Sequence, residues 1–357
     1  MGTVVVGPYL DTIAMTALAV RAHEPRHPRR SRYRNRGLKA MIMYRLLLFV
    51  PVLGGVSAGL FAAAAVSPFD PLAGYLGNRY MTTSEADKAL IADELGLHTP
   101  WYELYFSWLH AVLTGDLGMS RSFSQPVAQV LTERIPWTIL LVSVGMTGSI
   151  LIALAVGVWA GMHRGGLIDR AVAAACIVIQ GLPPFVLALA AIGIFAVGLG
   201  WLPPAGLTDA GADPTFGQVA RHLVLPAAVL AVSQLPWALL AVRESVSANR
   251  GEDYVAGAVA RGVDMRTITR RHILPTSLAP FVTIIGVRLP EVVVGAVLVE
   301  EIFSWPGAAG ALVQSARDLD MPLLAILTVG TTCAVLVGSL LADIAYVLLD
   351  PRVKADG

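Results

Sequence analysis

The chain is short of charge. Asp, Glu, Lys and Arg make up 14% of its 357 residues, against about a quarter in a soluble globular domain, and the mean hydropathy is +0.66. That scarcity excludes a soluble domain and leaves an integral membrane protein. Cysteine is scarce too. Cys176 and Cys333 both fall in apolar runs, where a thiol behaves as a small hydrophobe, so neither a disulfide framework nor a thiolate metal site is expected. The seven histidines are scattered, with no H-E-x-x-H and no Cys/His spacing suited to zinc. No G-x-x-x-x-G-K-[ST] occurs, so the chain has no phosphate cradle of its own. The net charge of +1 carries no signal for nucleic acid, and there is no basic, aromatic surface to add one. These absences set aside catalysis by this chain alone, a bound cofactor or metal, and a nucleic-acid partner.

What the chain has is apolar length. About 20 apolar residues are needed to span a bilayer, and the sequence predicts an all-α membrane protein with six transmembrane helices at about 46–66, 137–162, 171–200, 223–242, 281–299 and 321–342. Residues 1–42 form a basic extension, read as disordered or as an upstream start chosen in error, because the charges of Arg21 to Arg36 follow the weakly apolar Val4 to Val20 where a secretory signal would place them first. Gly55-Val56-Ser57-Ala58-Gly59 in the first span matches G-x-S-x-G. A nucleophile elbow needs a strand and a turn that an apolar helix cannot supply, so the G-x-x-x-G reading, helix–helix packing, is preferred. Residues 67–134 are a long polar insert, with Ser84 capping one helix and Thr99-Pro100 starting another. Gly157 and Gly161 read as contact points in the second span. Pro183 and Pro184, part-way along the third, remove backbone donors and kink it, either as a structural feature or to shape a translocation path.

Orientation follows from the basic residues. The N-terminus, the loops after the second and fourth spans and the C-terminus together hold 19 of the 26 Lys and Arg. Both termini are therefore expected in the cytoplasm, which makes the 67–134 insert external and the loop at 243–278 cytoplasmic. That loop is the long charge-mixed stretch of the C-terminal half. Asp253 to Arg261 reads as one short helix and Asp264 to His272 as a second, with Gly262 as the breaker, since glycine takes a left-handed turn without a Cβ penalty. Leu274-Pro275 is expected to close the second helix.

This loop resembles the EAA loop of permease subunits of ATP-binding cassette (ABC) importers, which runs EAA, three residues, Gly, nine residues, then I-x-L-P. Gly262, Leu274 and Pro275 stand in register, while Ala256-Gly257-Ala258 replaces EAA and His272 replaces the Ile. The departure is similar to the oligopeptide/dipeptide/nickel permease variant D-Y-V-x-x-A-x-A-K-G, matched by Asp253, Tyr254, Val255, Ala258, Ala260 and Gly262, with Arg261 keeping the charge. Leu95 to Pro100, Gly115-Asp116-Leu117-Gly118, Phe195 to Gly206, Glu301 to Gly307 and Asp343 to Arg352 also resemble that family, so the likeness covers about 43–352 and leaves 353–357 as a tail. The resemblance implies a permease for di- or oligopeptides that works beside a homologous second permease, with two ATPase subunits that carry ATP and Mg, and with an external solute-binding protein. It assigns ATPase coupling to Asp253, Tyr254, Ala258, Arg261, Gly262, Leu274 and Pro275. A nickel chelate or another small solute is the alternative cargo, and an ATP-independent secondary transporter the alternative class. For the 67–134 insert, docking and gating or a folded cap over the outer mouth both stay open.

One further pair stands out. Arg288 and Glu291 lie three apart on the fifth span and share a helix face. A charge at that depth is expensive and faces a cavity or a partner. The pair either meets the two charged ends of a peptide substrate or holds packing by pairing with itself.

Overall fold

The computed structural model describes residues 30–67, 72, 76–94 and 99–349. The extension up to residue 29, the Asp70-Pro71 pair, Leu95 to His98 and the tail from residue 350 lie outside the described residues. The chain is an all-α membrane protein. Its helices, in order, are α1 (Arg30–Ala65), α2 (Glu85–Glu94), α3 (Trp101–Leu113), α4 (Val127–Met162), α5 (Leu167–Gln180), α6 (Pro184–Ala191, continued by the wide turns of Ile192–Gly198), α7 (Phe216–Arg250), α8 (Asp253–Ala260), α9 (Met265–Ile268), α10 (Leu274–Ile302), α11 (Ala308–Arg317) and α12 (Met321–Leu349). A two-residue antiparallel hairpin, β1 (Met119–Ser120) with β2 (Gln125–Pro126), precedes α4.

The bundle is organised around α7. Of its most apolar window, 56% is buried, against 11–28% in the three other long apolar helices, so α7 is the helix the others cover. It packs along α4 and α10, and α5 leans on it. Near one end Leu239, Val242 and Val246 are buried with Ala153 of α4 and Cys176 of α5. Near the other, Leu225 and Leu230 are buried with Leu141 of α4 and with Phe303 and Trp305 just beyond α10. Trp305 donates its indole N–H to the Trp137 carbonyl at 3.0 Å. The Glu300 carboxylate, fully buried, accepts from the Ala309 amide at 2.8 Å and so caps α11.

The α4–α7 seam depends on small residues. A Cβ on Gly161 would sit 2.7 Å from the Arg243 carbonyl and 2.8 Å from the Val246 Cβ, and one on Gly157 would sit 2.9 Å from the Val242 Cβ. Gly161→Leu should therefore cost about 1–3 kcal/mol or more through overpacking, read as a lower thermal midpoint of the detergent-solubilised protein. Gly59→Leu is the control, because nothing lies within 4 Å of that Cβ, and its midpoint should stay unchanged. The same openness holds at Gly55, so neither glycine of the G-x-x-x-G pair makes a close helix contact among the described residues. Ser57 between them is buried and bonds the Leu53 carbonyl at 2.8 Å and the Tyr105 hydroxyl at 3.3 Å, which is a satisfied helix hydroxyl and not a nucleophile.

Other expectations are corrected as well. The third apolar run is not one kinked helix over 171–200: α5 and α6 meet at 104°. Pro183 is extended (φ −57°, ψ 144°) and caps α6, with Pro184 as its first residue. Two adjacent prolines leave two amides missing, and the residue before each is pushed out of the helical region, so the chain breaks where one proline would only bend it. Pro100 stands at the cap of α3 and not in its first turn, whereas Ser84 does cap α2, accepting from the Asp87 amide at 3.1 Å. Among the described residues, four helices are long and apolar enough to cross a membrane (Lys39–Ala65, Val127–Met162, Phe216–Arg250 and Met321–Ile344), and α5–α6 counted as one span gives five. The expected run 281–299 lies inside α10 and carries Arg288 and Glu291.

Candidate functional site: a rigid bracket at one end of the bundle

The polar stretch after α7 folds into a hairpin of short helices. In α8, Val255 and Ala258 are three apart, fall on one face and are buried. The helix ends in a Schellman arrangement. The Gly262 amide donates to the Val259 carbonyl at 2.9 Å, and the Val263 amide to the Ala258 carbonyl at 3.1 Å. Gly262 itself sits at φ +78°, the left-handed conformation that this motif requires and that glycine takes at no steric cost. Asp264 then caps α9, its carboxylate accepting from the Arg266 amide at 3.1 Å.

The second helix is not closed at Leu274-Pro275 as the sequence suggested. Leu274 keeps helical torsions (φ −60°, ψ −50°), and Thr269–Ile273 forms one wide π turn that runs straight into α10. Proline lacks an amide and crowds the preceding carbonyls, and a π turn is one way to absorb both. Thr276 lends its hydroxyl to the His272 carbonyl at 2.7 Å. From Met265 to Ile302 the chain is thus one unbroken helical rod, 38 residues by position.

This bracket is fastened hard to the bundle. Val255, Ala258, Ile268 and Ile273 enter the same buried cluster as Val242 and Val246 of α7; each larger aliphatic side chain contributes about 1.5–3 kcal/mol on burial. Asn249, near the end of α7, donates to the Ser245 carbonyl at 2.8 Å and to the buried Ser277 hydroxyl of α10 at 3.2 Å. Behind it, Arg243 of α7 clasps Asp169 of α5. Its Nη2 donates to Oδ2 at 2.8 Å and its Nε to Oδ1, while the Gly165 amide donates to the same carboxylate at 2.9 Å. Arg164 reaches Ser247 at 2.9 Å and Glu244 at 3.4 Å.

The sequence-derived coupling residues divide into two groups. Asp253, Tyr254, Arg261, Gly262 and Pro275 are exposed; Ala258 is buried and Leu274 half-buried, so these two hold the bracket in place and do not form its face. The exposed tip is apolar, with Val259, Val263 and Met265 at 37–49% exposure, and Arg266, Arg270 and Arg271 stand exposed around it. The Tyr254 ring lies edge-on to His272 with centroids 6.5 Å apart. Partial burial pushes the Tyr254 hydroxyl pKa up, and the Glu252 charge adds to the shift. Sequence reasoning named Val255 only as a match to the motif and missed Ile268, Ile273, Asn249, Ser277 and the Asp169–Arg243 pair. Only the three-residue spacing of Val255 and Ala258 was there to be read.

The candidate path residues lie away from the bracket. Arg288 and Glu291 pair with each other on α10, and the small cavity beside Arg288 is walled by α4, α7 and α10. The Pro183-Pro184 corner is not among its walls.

A multi-helix membrane bundle with a polar helical hairpin continuous with a long helix has the build of a membrane transport subunit. The family described as binding-protein-dependent transport system inner membrane component matches residues 153–355. The chain belongs to that family. It is 30% identical over 318 residues to the oligopeptide transport system permease protein AppB of Bacillus subtilis (strain 168), which covers 89% of this chain and 100% of that one. Among solved structures, a chain of the MetNI methionine ABC transporter in inward-facing conformations aligns with 62% of this chain and 97% of that one, at 18% identity and a TM-score of 0.48.

Proposed function

We propose that this chain is the transmembrane permease subunit of an ATP-driven importer for di- or oligopeptides. The observation that carries the reading is the bracket, because α8 and α9 are bolted to α7 and α9 runs without a break into α10. A partner that moves this hairpin moves α10 with it. The 30% identity to an oligopeptide permease over almost the whole chain supports the peptide class. In the working complex the chain crosses the membrane six times, with α10 as the fifth crossing and the α5–α6 corner as a broken third. Both termini and the bracket lie in the cytoplasm, as the distribution of Lys and Arg requires, and residues 67–134 face outside. The membrane domain spans 43–352.

Half of the translocation pathway belongs to this chain and half to a homologous second permease. Two ATPase subunits dock on the brackets, with Tyr254, Arg261 and Gly262 in the docking face. ATP and Mg reside on those subunits, and this chain binds no cofactor and catalyses no reaction. An external solute-binding protein delivers the peptide. Closure of the ATPases draws the brackets together, and the stiff rods convert that movement into a change in the side to which the pathway opens. The test is uptake of a labelled peptide into proteoliposomes that hold the full complex. The account expects accumulation with ATP and binding protein present and none when either is left out. Accumulation that needs only an ion gradient would replace it with the secondary-transporter reading.

A further inference from the structure

At the middle of the bundle three helices bring polar groups to one place. Arg288 is the central residue of α10, 14 positions from each end, or about 21 Å at 1.5 Å per residue. Its guanidinium lies 3.8 Å from the ring centroid of Trp237 on α7 and pairs with Glu291 one turn further on. Gln234 of α7 and Ser149 of α4 line the same small cavity. Ser149 is 1% exposed and its hydroxyl has no hydrogen-bond partner among the described residues, a cost that an inert packing site would not carry. Among the described residues, the Gln234 amide donates one long bond, 3.4 Å to Ser233.

The open side of this cluster is the informative one. The Glu291 side chain is 54% exposed and Trp237 42% exposed. A carboxylate at half depth cannot face hydrocarbon without a penalty of several kcal/mol, so this face of α10 meets either the second permease or water on the pathway. Its chemistry is that of a zwitterion receptor. Arginine binds a carboxylate through two parallel N–H donors, a carboxylate binds an ammonium, and an indole face attracts a cation.

Building on the importer reading above, we propose that Arg288, Glu291 and Trp237 form a mid-membrane station that engages the charged termini of the peptide as it passes. Glu291 and the Trp237 face take the ammonium, and Arg288, released from Glu291, takes the carboxylate. In the empty state the two side chains neutralise each other, which makes a charged station tolerable at this depth. The pair then exchanges one internal ion pair for two to the substrate, and the exchange reverses when the peptide leaves.

The test uses the complete complex with saturating, peptide-loaded binding protein, so that delivery is not limiting. Complex yield, ATP hydrolysis and peptide delivered per ATP are measured for wild type, Arg288→Gln, Glu291→Gln and the double variant. Each single variant should deliver about tenfold less peptide per ATP, the scale of one lost charge-assisted contact. The double variant discriminates. Without either charge nothing is left unpaired, so a packing role predicts that it recovers wild-type delivery, whereas a station predicts that it stays as low as the singles at normal yield. Recovery by the double variant, wild-type delivery by both singles, or loss of complex yield in all three would overturn the station. Failure of the wild-type complex to import peptide at all would instead remove the importer reading and the station with it.

Discussion

Asp169→Ala should lower the stability of the bundle by about 3–5 kcal/mol, the cost of leaving a buried charge without its partner. The Asp169 side chain is 2% exposed and Arg243 18%, so water and the more distant Glu244 carboxylate replace the lost partner only in part. The clasp joins the first turn of α5 to α7 about two turns before α7 hands over to the bracket. Its loss therefore loosens the end of the bundle on which the bracket is mounted. A stability of that size is a large part of what a domain possesses, and the variant should be recovered from membranes in low yield with a clearly lowered thermal midpoint. Asp169→Leu combined with Arg243→Met should restore much of both, because a buried ion pair replaced by apolar groups of similar volume is often neutral or stabilising. A double variant as unstable as the single would show that the pair holds the fold through geometry alone.

Gly262→Trp should abolish ATP-driven uptake while leaving the protein folded. The left-handed torsion of Gly262 costs a residue with a Cβ about 1–2 kcal/mol, less than the combined burial of Val255, Ile268 and Ile273 that fastens the bracket. No atom of the described residues lies within 4 Å of a Cβ built there, so the indole projects from the tip and meets whatever docks on it. Uptake in proteoliposomes should fall to the level seen without ATPase subunits, with the thermal midpoint of the solubilised chain lowered by only a few degrees. Gly262→Asn separates strain from bulk. Asparagine tolerates the left-handed region and is small, so most of the uptake should remain. Full uptake by the tryptophan variant would take the tip out of the docking face.

Much of this architecture is legible in the residues themselves. Uncharged runs of 20 or more residues define long helices because nothing else satisfies a backbone in hydrocarbon, and the centres of α1, α4, α7 and α12 fall where those runs do. The two short helices around Gly262 and the capping role of Ser84 follow from local rules of one or two turns. The failures share a cause. Whether Leu274-Pro275 ends a helix depends on what surrounds it, and here a π turn supported by buried Ile273 carries the helix through. Gly55 and Gly59 have the spacing of a contact pair, but only the packing of α1 decides whether a helix comes to meet them, and none does among the described residues. The Asp169–Arg243 clasp joins residues 74 positions apart, each of which reads locally as a charge at the end of a span. The 104° corner at Pro183-Pro184 was signalled as a bend, but its size depends on how α6 packs against α7 and α10.

The central claim is that the bracket couples this chain to ATPase subunits in a complex with a second permease. The most direct measurement is native co-purification from gently solubilised membranes, with the mass of each component determined. The account predicts a single assembly of this chain, one homologous permease and two ATPase subunits. Recovery of this chain alone, under conditions that keep other membrane complexes whole, would contradict it.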